Sequence, residues 1–369
     1  MGVPLRTERP MTPQQDRNPE AVRIMIVDDS LTVRTVFSRM IQRESDMEIV
    51  ASAGTAERAL VELRSTPVDV ILLDLEMPGM GGLEALPKML ATAHDAQVLV
   101  VSSLTAEGAE HTLTALSMGA ADTMLKPRPG GFNDAYRDSL LAKIRALGGK
   151  SEPRRSPDRS EPAPPAVRAP RRAAKRPKVV AIGASTGGIH ALNLFLRRLP
   201  AAFDLPILIT QHLPDSFIPV FARQMEMASG RPADLAGEGT VIARGRIVIA
   251  PGNGHMIVRR QGLQHVTGLV YQPVRSGCMP SVDPMFESLA SAYDGQVAAV
   301  LLSGMGRDGT EGAQAIAAAG GTIFAQDAES CAVWGMPRTV AETGLAAAVL
   351  PPEQLADRVA AMAGAEAWQ

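Results

Sequence analysis

Polar side chains that could carry out chemistry follow four of the apolar, strand-like runs in the N-terminal part of the chain. Asp28 and Asp29 follow the first run, Asp74 the third, Ser102 the fourth and Lys126 the fifth. Because the carboxyl ends of parallel strands lie along one edge of a sheet, these groups are predicted to converge. Converging carboxylates repel each other unless a hard cation binds between them, and Mg²⁺ suits an open, oxygen-lined site. Asp74 is then placed to attack a phosphoryl donor, while Mg²⁺ and Lys126 balance the charge.

A simpler role stays open for Asp28 and Asp29. A helical pattern begins near Leu31, and acidic residues also cap helix N-termini. The coincidence of suitable groups at four strand ends favours the metal and phosphoryl site.

A glycine-rich turn, GASTGG from Gly183 to Gly188, separates a strand-like run from a helical pattern in the C-terminal part. It lacks the G-x-G-x-x-G spacing of a dinucleotide site, and Ile189 stands where a phosphate-binding loop has lysine. It does match G-x-S-x-G, a tight turn that exposes a serine hydroxyl at a helix N-terminus. Ser185 is therefore a candidate nucleophile whose oxyanion the helix dipole and free N–H groups would stabilise.

A serine nucleophile needs a base and a group that orients the base. Of the six histidines, His212 follows the strand-like run that comes next after the serine strand, so it reaches the same rim. Asp308, within LLSGMGRDG, is the preferred acid because the neighbouring glycines let the backbone bend, with Asp327 and Asp283 as alternatives. An ordinary strand-end histidine and a turn-forming aspartate are the simpler interpretations. The order Ser, His, Asp differs from the Ser, acid, His order of α/β-hydrolases and disfavours that fold.

These residues must be positioned by two sets of alternating strands and helices, a pattern typical of doubly wound parallel sheets. We predict a flavodoxin-like domain over residues 21–147 and a Rossmann-like, three-layer domain over residues 178–369. The predicted strands of the first domain are Val22–Val27, Ile49–Ala53, Val68–Leu73, Val98–Ser102 and Asp122–Leu125. Those of the second are Val179–Ile182, Pro206–Thr210, Arg246–Ala250, Val297–Leu302 and Thr322–Ala325, with a small antiparallel section within Ala233–Val274.

Composition limits the remaining choices. The 369 residues are 46% hydrophobic and 21% charged, which suits about two globular domains. Residues 148–177 are rich in proline, arginine and alanine and are predicted to form an extended, mobile linker, and residues 1–20 a disordered extension. The net charge of -2 excludes a globally basic nucleic-acid binder. We find no apolar run long enough for membrane insertion and no signal peptide, so we expect a cytoplasmic protein.

The chain has two cysteines, Cys278 and Cys331, which are too few for a disulfide framework. Neither has a base beside it in the sequence, so both are expected to pack as reduced thiols.

The motifs VDDS, LLDLEMPGMGG, VVSSLT and LKP, in this order, resemble those of a response-regulator receiver domain over residues 21–147. The resemblance implies that Asp74 is the phospho-accepting aspartate. It further implies that Asp29 and Asp74, with Asp28 close by and the main-chain carbonyl of Glu76, bind Mg²⁺.

The same resemblance implies that Ser102 is the switch hydroxyl and Lys126 the phosphate-pairing lysine. Thr123 stands where the family usually has an aromatic ring that reorients with the switch. This departure concerns the ring rotation and not phosphorylation itself.

A second set of motifs, GASTGG, QHLPDSFIPVFA, APGNGHM, CMPSVDPMFES, LLSGMGRDG and DAESCAVWGMP, resembles the catalytic domain of the chemotaxis protein-glutamate methylesterase (CheB) family. The resemblance implies that Ser185 is the nucleophile, His212 the general base and Asp308 its orienter. It also implies that the backbone N–H of Met305 stabilises the oxyanion and that this domain needs no cofactor.

The family resemblance implies hydrolysis of γ-glutamyl methyl esters on methyl-accepting chemotaxis receptors, with glutamine deamidation as a related activity. A chemotaxis histidine kinase would be the phosphodonor. We hypothesise that the unphosphorylated receiver covers the Ser185 rim. One alternative is a phosphorylation-controlled module that binds receptors without turnover. Another is a transcriptional regulator, which the lack of a helix-turn-helix pattern disfavours.

Overall fold

The structure is a computed structural model that describes residues 20–93, 95–102, 105–127, 131–149 and 175–364. Nearly all of the predicted N-terminal extension and residues 150–174 of the predicted linker lie outside the described residues. Among the described residues, no helix is long and apolar enough to cross a lipid bilayer.

The N-terminal domain is built on a five-stranded sheet in the order β2-β1-β3-β4-β5, with every neighbouring pair parallel. Its strands are β1 (Val22–Val27), β2 (Met47–Ala53), β3 (Val70–Asp74), β4 (Gln97–Ser102) and β5 (Asp122–Leu125). Its helices are α1 (Leu31–Ile41), α2 (Ala56–Glu62), α3 (Gly81–Thr92), α4 (Ala106–Ser117) and α5 (Asp134–Gly148). The central strand β3 is buried along its whole length, as expected of a parallel strand covered on both faces.

The C-terminal domain is built on a seven-stranded sheet in the order β14-β13-β12-β6-β7-β9-β8, again parallel throughout. Its strands are β6 (Val179–Ala184), β7 (Ile207–Gln211), β8 (Ala233–Leu235), β9 (Ile247–Ile249), β12 (Val297–Leu301), β13 (Thr322–Gln326) and β14 (Ala346–Leu350). The hairpin of β10 (His255–Gln261) and β11 (Gln264–Val270) is antiparallel. The helices are α6 (Gly188–Arg198), α7 (Ile218–Ser229), α8 (Val282–Ala292), α9 (Thr310–Ala319), α10 (Met336–Glu342) and α11 (Pro352–Ala363), with a 3₁₀ turn at Asp215–Phe217.

The predicted fold class, two α/β domains with parallel sheets, is confirmed, and two local expectations change. Within Ala233–Val274 only β10 and β11 are antiparallel, whereas β8 and β9 join the main parallel sheet. The end of the predicted linker is bound to the C-terminal domain, because Lys175 Nζ donates to the carbonyl oxygens of Asp294 and Ala319.

The two domains pack against each other through α4 and the start of β5 of the N-terminal domain. This face contacts α6 and the beginning of α7 in the C-terminal domain. Gly187 N donates to the Ala121 carbonyl oxygen at 2.6 Å, and His190 Nδ1 lies 3.1 Å from the Ser117 carbonyl oxygen. His190 therefore contacts the other domain.

Candidate functional site

The first polar cluster lies at the carboxyl end of β1 and β3. Asp28 and Asp74 are buried, Asp29 is exposed, and one carboxylate oxygen from each lies within 4.8 Å of the others. The N-cap of α1 is Ser30, whose Oγ accepts from the N–H of Val33, so neither aspartate occupies the capping position. The capping alternative for these two aspartates therefore does not describe this helix.

Lys126 supplies the positive charge of this cluster. Its Nζ lies 2.6 Å from Asp74 Oδ2 and 3.0 Å from Asp28 Oδ2. Burial raises the pKa of Asp74, the hydrogen bond and charge of Lys126 act against this, and the nearby Asp28 raises it further. Burial lowers the pKa of Lys126, but its two carboxylate partners outweigh burial and raise it.

Two further features prepare this cluster for a phosphoryl group and a hard cation. Ser102 Oγ is buried and has no hydrogen-bond partner among the described residues, so it is available to a new oxygen at this site. The N–H of Glu76 donates to Asp74 Oδ1 at 3.1 Å, so the exposed Glu76 lies beside the buried carboxylate of Asp74. Carboxylate oxygens grouped in this way are the ligands that Mg²⁺ prefers.

The second cluster begins at the turn between β6 and α6. The N–H of Ser185 donates to the Ser303 carbonyl oxygen at 3.0 Å, and Gln211 Nε2 donates to the Ser185 carbonyl oxygen at 2.9 Å. Gly187 has a φ of 76°, and a Cβ there would lie 2.6 Å from both Ser303 Oγ and Ala332 Cβ. The turn therefore requires glycine at this position, and it holds the serine at the end of β6.

Ser185, His212 and Asp308 form one chain of hydrogen bonds. His212 Nδ1 lies 3.1 Å from Ser185 Oγ, and His212 Nε2 lies 2.8 Å from Asp308 Oδ2. Asp308 is buried, and it also accepts from Ser281 Oγ at 2.6 Å and from the N–H of Val282 at 2.7 Å. A buried carboxylate with this many donors is fixed in place, so it can orient the imidazole.

The charges of the triad follow from the same contacts. Burial lowers the pKa of His212, but Asp308 and the nearby Cys278 outweigh burial and raise it to about 9. Burial raises the pKa of Asp308, whereas His212, Ser281 and Val282 lower it well below its usual range. The ion pair therefore favours the imidazolium form of His212 below about pH 9, and the neutral form, which can accept a proton, becomes more populated as the pH rises toward that value.

The other candidate residues lie outside this chain of hydrogen bonds. Asp283 Oδ1 accepts from the N–H of Gly312, and Asp327 Oδ1 accepts from Ser330. His255 is fully buried between the N–H of Ser281 and the Gln272 carbonyl oxygen, and its hydrogen bonds are structural.

Met305 is half exposed in the turn after β12. The residue before it, Gly304, packs directly on Ser185, since a Cβ there would lie 2.8 Å from Ser185 Cβ. Through this contact, the main chain that leads into Met305 lies beside Ser185.

Three features of the site were not predicted from the sequence. Ser281 donates a hydrogen bond to Asp308. Cys278 lies beside His212 and Asp308, although it was expected only to pack as a reduced thiol. Asp122 of the N-terminal domain accepts from Thr186 Oγ1 at 2.6 Å, and Thr186 directly follows Ser185 in the sequence. All three contacts join segments that are distant in sequence, so no local pattern marks them.

The N-terminal domain lies over the serine. A small cavity at the junction is lined by residues of both domains: Leu116, Ala120, Ala121, Asp122, Ser185, Gly187, Ile189, Gln211, His212 and Leu213. Ser185 and His212 therefore face the N-terminal domain.

A buried cluster of carboxylates and a lysine, together with a serine–histidine–aspartate chain on the same polypeptide, is typical of a response regulator with a hydrolase output domain. Residues 24–132 match the response regulator receiver domain family, and residues 180–359 match the CheB methylesterase family. The protein-glutamate methylesterase/protein-glutamine glutaminase of Rhodopseudomonas palustris (strain BisB5) is 41% identical over 360 residues, which is 92% of this chain and 94% of the relative. The protein-glutamate methylesterase/protein-glutamine glutaminase 2 of Caulobacter vibrioides is 44% identical over 345 residues, which is 93% of this chain and 99% of the relative. The chain belongs to the CheB methylesterase family, which confirms the resemblance seen in its motifs.

Solved structures match each domain separately. The CheB methylesterase catalytic domain of Thermotoga maritima is 35% identical with a TM-score of 0.48, covering 50% of this chain and 97% of that one. The response regulator domain of Thermotoga maritima CheB is 37% identical with a TM-score of 0.31, covering 34% of this chain and 94% of that one.

Proposed function

We propose that the chain is a phosphorylation-activated esterase that removes methyl groups from glutamate γ-methyl esters of chemoreceptor cytoplasmic domains, in chemotaxis adaptation. The observation that carries the proposal is the hydrogen-bonded chain of Ser185, His212 and Asp308 in a member of this family. The same triad would deamidate receptor glutamines, as the names of the relatives state for those proteins. Action on receptor cytoplasmic domains would require the protein to work in the cytoplasm.

In the first half of the reaction, Ser185 Oγ attacks the ester carbonyl carbon while neutral His212 accepts the hydroxyl proton at Nδ1. Asp308 fixes the imidazole through Nε2 and stabilises the imidazolium. The backbone N–H of Met305 and the N-terminal end of α6 would stabilise the oxyanion. His212 then returns the proton to the leaving oxygen, so methanol departs and an acyl-enzyme remains.

In the second half, water attacks the acyl carbonyl carbon and His212 removes a proton from it. Collapse of the intermediate returns the proton to Ser185 Oγ and releases the glutamate carboxylate. The residues of this domain would carry out each step without a cofactor.

In the receiver domain, Asp74 would accept a phosphoryl group from a chemotaxis histidine kinase. Asp28, Asp29, Asp74 and the carbonyl of Glu76 would hold Mg²⁺, which supplies charge neutralisation for phosphoryl transfer. Lys126 would pair with the phosphoryl oxygens. The free hydroxyl of Ser102 would donate to one of them, which makes it the switch residue.

The receiver would inhibit the esterase by covering it. Lys126, bonded to Asp74, lies just after β5, and Asp122, bonded to Thr186, lies at the start of the same strand. At about 3.3 Å per residue, roughly 13 Å of strand connects them. A shift of Lys126 on phosphorylation would therefore act on the Asp122–Thr186 contact and release the face beside Ser185.

Methanol release from methylated receptor membranes tests the function. The wild-type chain should release methanol, and Ser185→Ala should lower the rate to the background while still binding the membranes. No release from any form, with normal phosphorylation of Asp74 and intact receptor binding, would instead establish a receptor-binding module without turnover. Loss of activity together with loss of folding would be seen by circular dichroism.

A further inference from the structure

His212 and Asp308 have a third neighbour of a different chemical kind. Cys278 lies in the segment between β11 and α8, and its Sγ, one nitrogen of His212 and one oxygen of Asp308 lie within 4.8 Å of one another. The three residues come from three separate segments of the C-terminal domain: the end of β7, the loop before α8 and the turn after β12. Among the described residues, the thiol donates a single, long hydrogen bond of 3.8 Å to the Ser276 carbonyl oxygen.

Sulfur, imidazole nitrogen and carboxylate oxygen together are a donor set that Zn²⁺ favours. Zinc binds these atoms at about 2.0–2.3 Å, so ligand atoms in a tetrahedral site are separated by about 3.3–3.8 Å. Cys278 Sγ lies at most 4.8 Å from the other two atoms, so it needs to approach by at most about 1–1.5 Å, which rotation of its partly exposed side chain can supply. His212 Nε2 and Asp308 Oδ2 are 2.8 Å apart, so a metal between them would spread them by about 0.5 Å. A thiolate discriminates against Mg²⁺, which prefers oxygen ligands, so the receiver's cation does not compete here.

We propose that Cys278, His212 and Asp308 form an inhibitory Zn²⁺ site, with Cys278 as a ligand that has no part in the ester chemistry. Both ring nitrogens of His212 are used by the triad, Nδ1 toward Ser185 and Nε2 toward Asp308. Zinc on Nδ1 removes the base from the serine, and zinc on Nε2 replaces the orienting hydrogen bond. Binding of the metal displaces the thiol proton of Cys278 to solvent, and turnover stops until the metal leaves.

The inhibition rests on the proposed triad, whereas the metal site does not. The two can be tested separately, because a thiolate bound to Co²⁺ gives a charge-transfer absorption in the near ultraviolet that carboxylate ligands do not give. The chain has two cysteines, so Cys278→Ser and Cys331→Ser are matched variants. Burial raises the pKa of Cys331 to about 12, which disfavours metal binding by that thiol.

The first experiment titrates Co²⁺ into the full chain, with and without acetyl phosphate and Mg²⁺. The wild type, Cys331→Ser and Ser185→Ala should show the thiolate band, and Zn²⁺ should remove it. Cys278→Ser should lack the band. Absence of the band in the wild type under both conditions, or its persistence in Cys278→Ser, would overturn the site.

The second experiment measures methanol release as Zn²⁺ is added and then chelated. Wild type and Cys331→Ser should lose at least about tenfold of their rate and recover it with chelator, and Cys278→Ser should need at least about tenfold more Zn²⁺. Equal inhibition of wild type and Cys278→Ser would refute the inhibitory role. If no form releases methanol, the proposed function fails, and the cobalt band still decides whether the metal site exists.

Discussion

Asp122 is the receiver residue whose removal should release the esterase most directly. Its Oδ2 accepts from Thr186 Oγ1 at 2.6 Å across the domain junction, and from Lys143 Nζ at 2.5 Å within the receiver. In Asp122→Ala, the contact with Lys143 is lost both when the domains are closed and when they are apart. Its loss therefore does not change the free-energy difference between the two arrangements. The loss of the Thr186 contact affects the closed arrangement alone.

The size of the effect follows from the type of hydrogen bond. Removing a hydrogen bond to a charged group costs about 1.5–3 kcal/mol, and Thr186 is buried, so its hydroxyl would be left without this acceptor. A destabilisation of the closed arrangement by this amount raises the open fraction by about ten- to a hundredfold. The basal rate should rise by that factor, up to the rate of the phosphorylated chain.

The assay is methanol release from methylated receptor membranes without phosphodonor. Glu84→Ala is the matched control, because Glu84 is an exposed receiver carboxylate whose ion pair with Lys88 lies within its own helix. Glu84→Ala should keep the wild-type basal rate. A basal rate of Asp122→Ala equal to that of the wild type, with unchanged phosphorylation and stimulated rate, would refute the proposed cover.

Three other outcomes are expected. Nitrogen-15 NMR of the unphosphorylated chain should give a pKa of about 9 for His212, with the imidazolium form below that pH. Asp308→Asn should bring this pKa below 6.5, because the burial of His212 remains while its charged partner is gone. An unchanged pKa would contradict the ion pair. Ser281→Ala removes a 2.6 Å hydrogen bond from Asp308 and should lower kcat by about tenfold or more with little change in KM, whereas equal kcat would show that this bond does not position the carboxylate. Chelation of Mg²⁺ should abolish labelling of Asp74 by acetyl phosphate and leave the basal esterase rate unchanged, and a parallel loss of both would contradict separate sites.

The sequence predicted the parallel sheets and the strand-end groups because both depend on local patterns. Continuous apolar runs mark buried parallel strands, and polar residues at their carboxyl ends must share one edge of the sheet. Ser185, His212 and Asp308 were selected in this way, and the structure brings them into hydrogen-bonding distance.

The missed strands are those whose conformation depends on tertiary pairing. The strand β14 has the sequence AAAVL, and alanine has little preference for strands, so its pairing with β13 decides its conformation. The short strand β8 lies in a region of turn signals, and only its pairing with β9, which was predicted as Arg246–Ala250, shows that it extends the main sheet.

The site residues that the sequence did not predict also depend on tertiary contacts. Cys278 has no base beside it in sequence, and its neighbours in space, His212 and Asp308, come from other segments of the domain. The contact of Asp122 with Thr186 joins two domains, so no periodicity within either one could reveal it.

The most direct test of the central claim, that phosphorylation of Asp74 uncovers the nucleophile Ser185, is the rate at which a fluorophosphonate labels Ser185 in the full chain. Labelling should accelerate when acetyl phosphate and Mg²⁺ are added to the wild type. It should not accelerate in Asp74→Asn, and Ser185→Ala should not be labelled. Equal labelling rates of the wild type with and without phosphodonor, at confirmed phosphorylation of Asp74, would contradict the account.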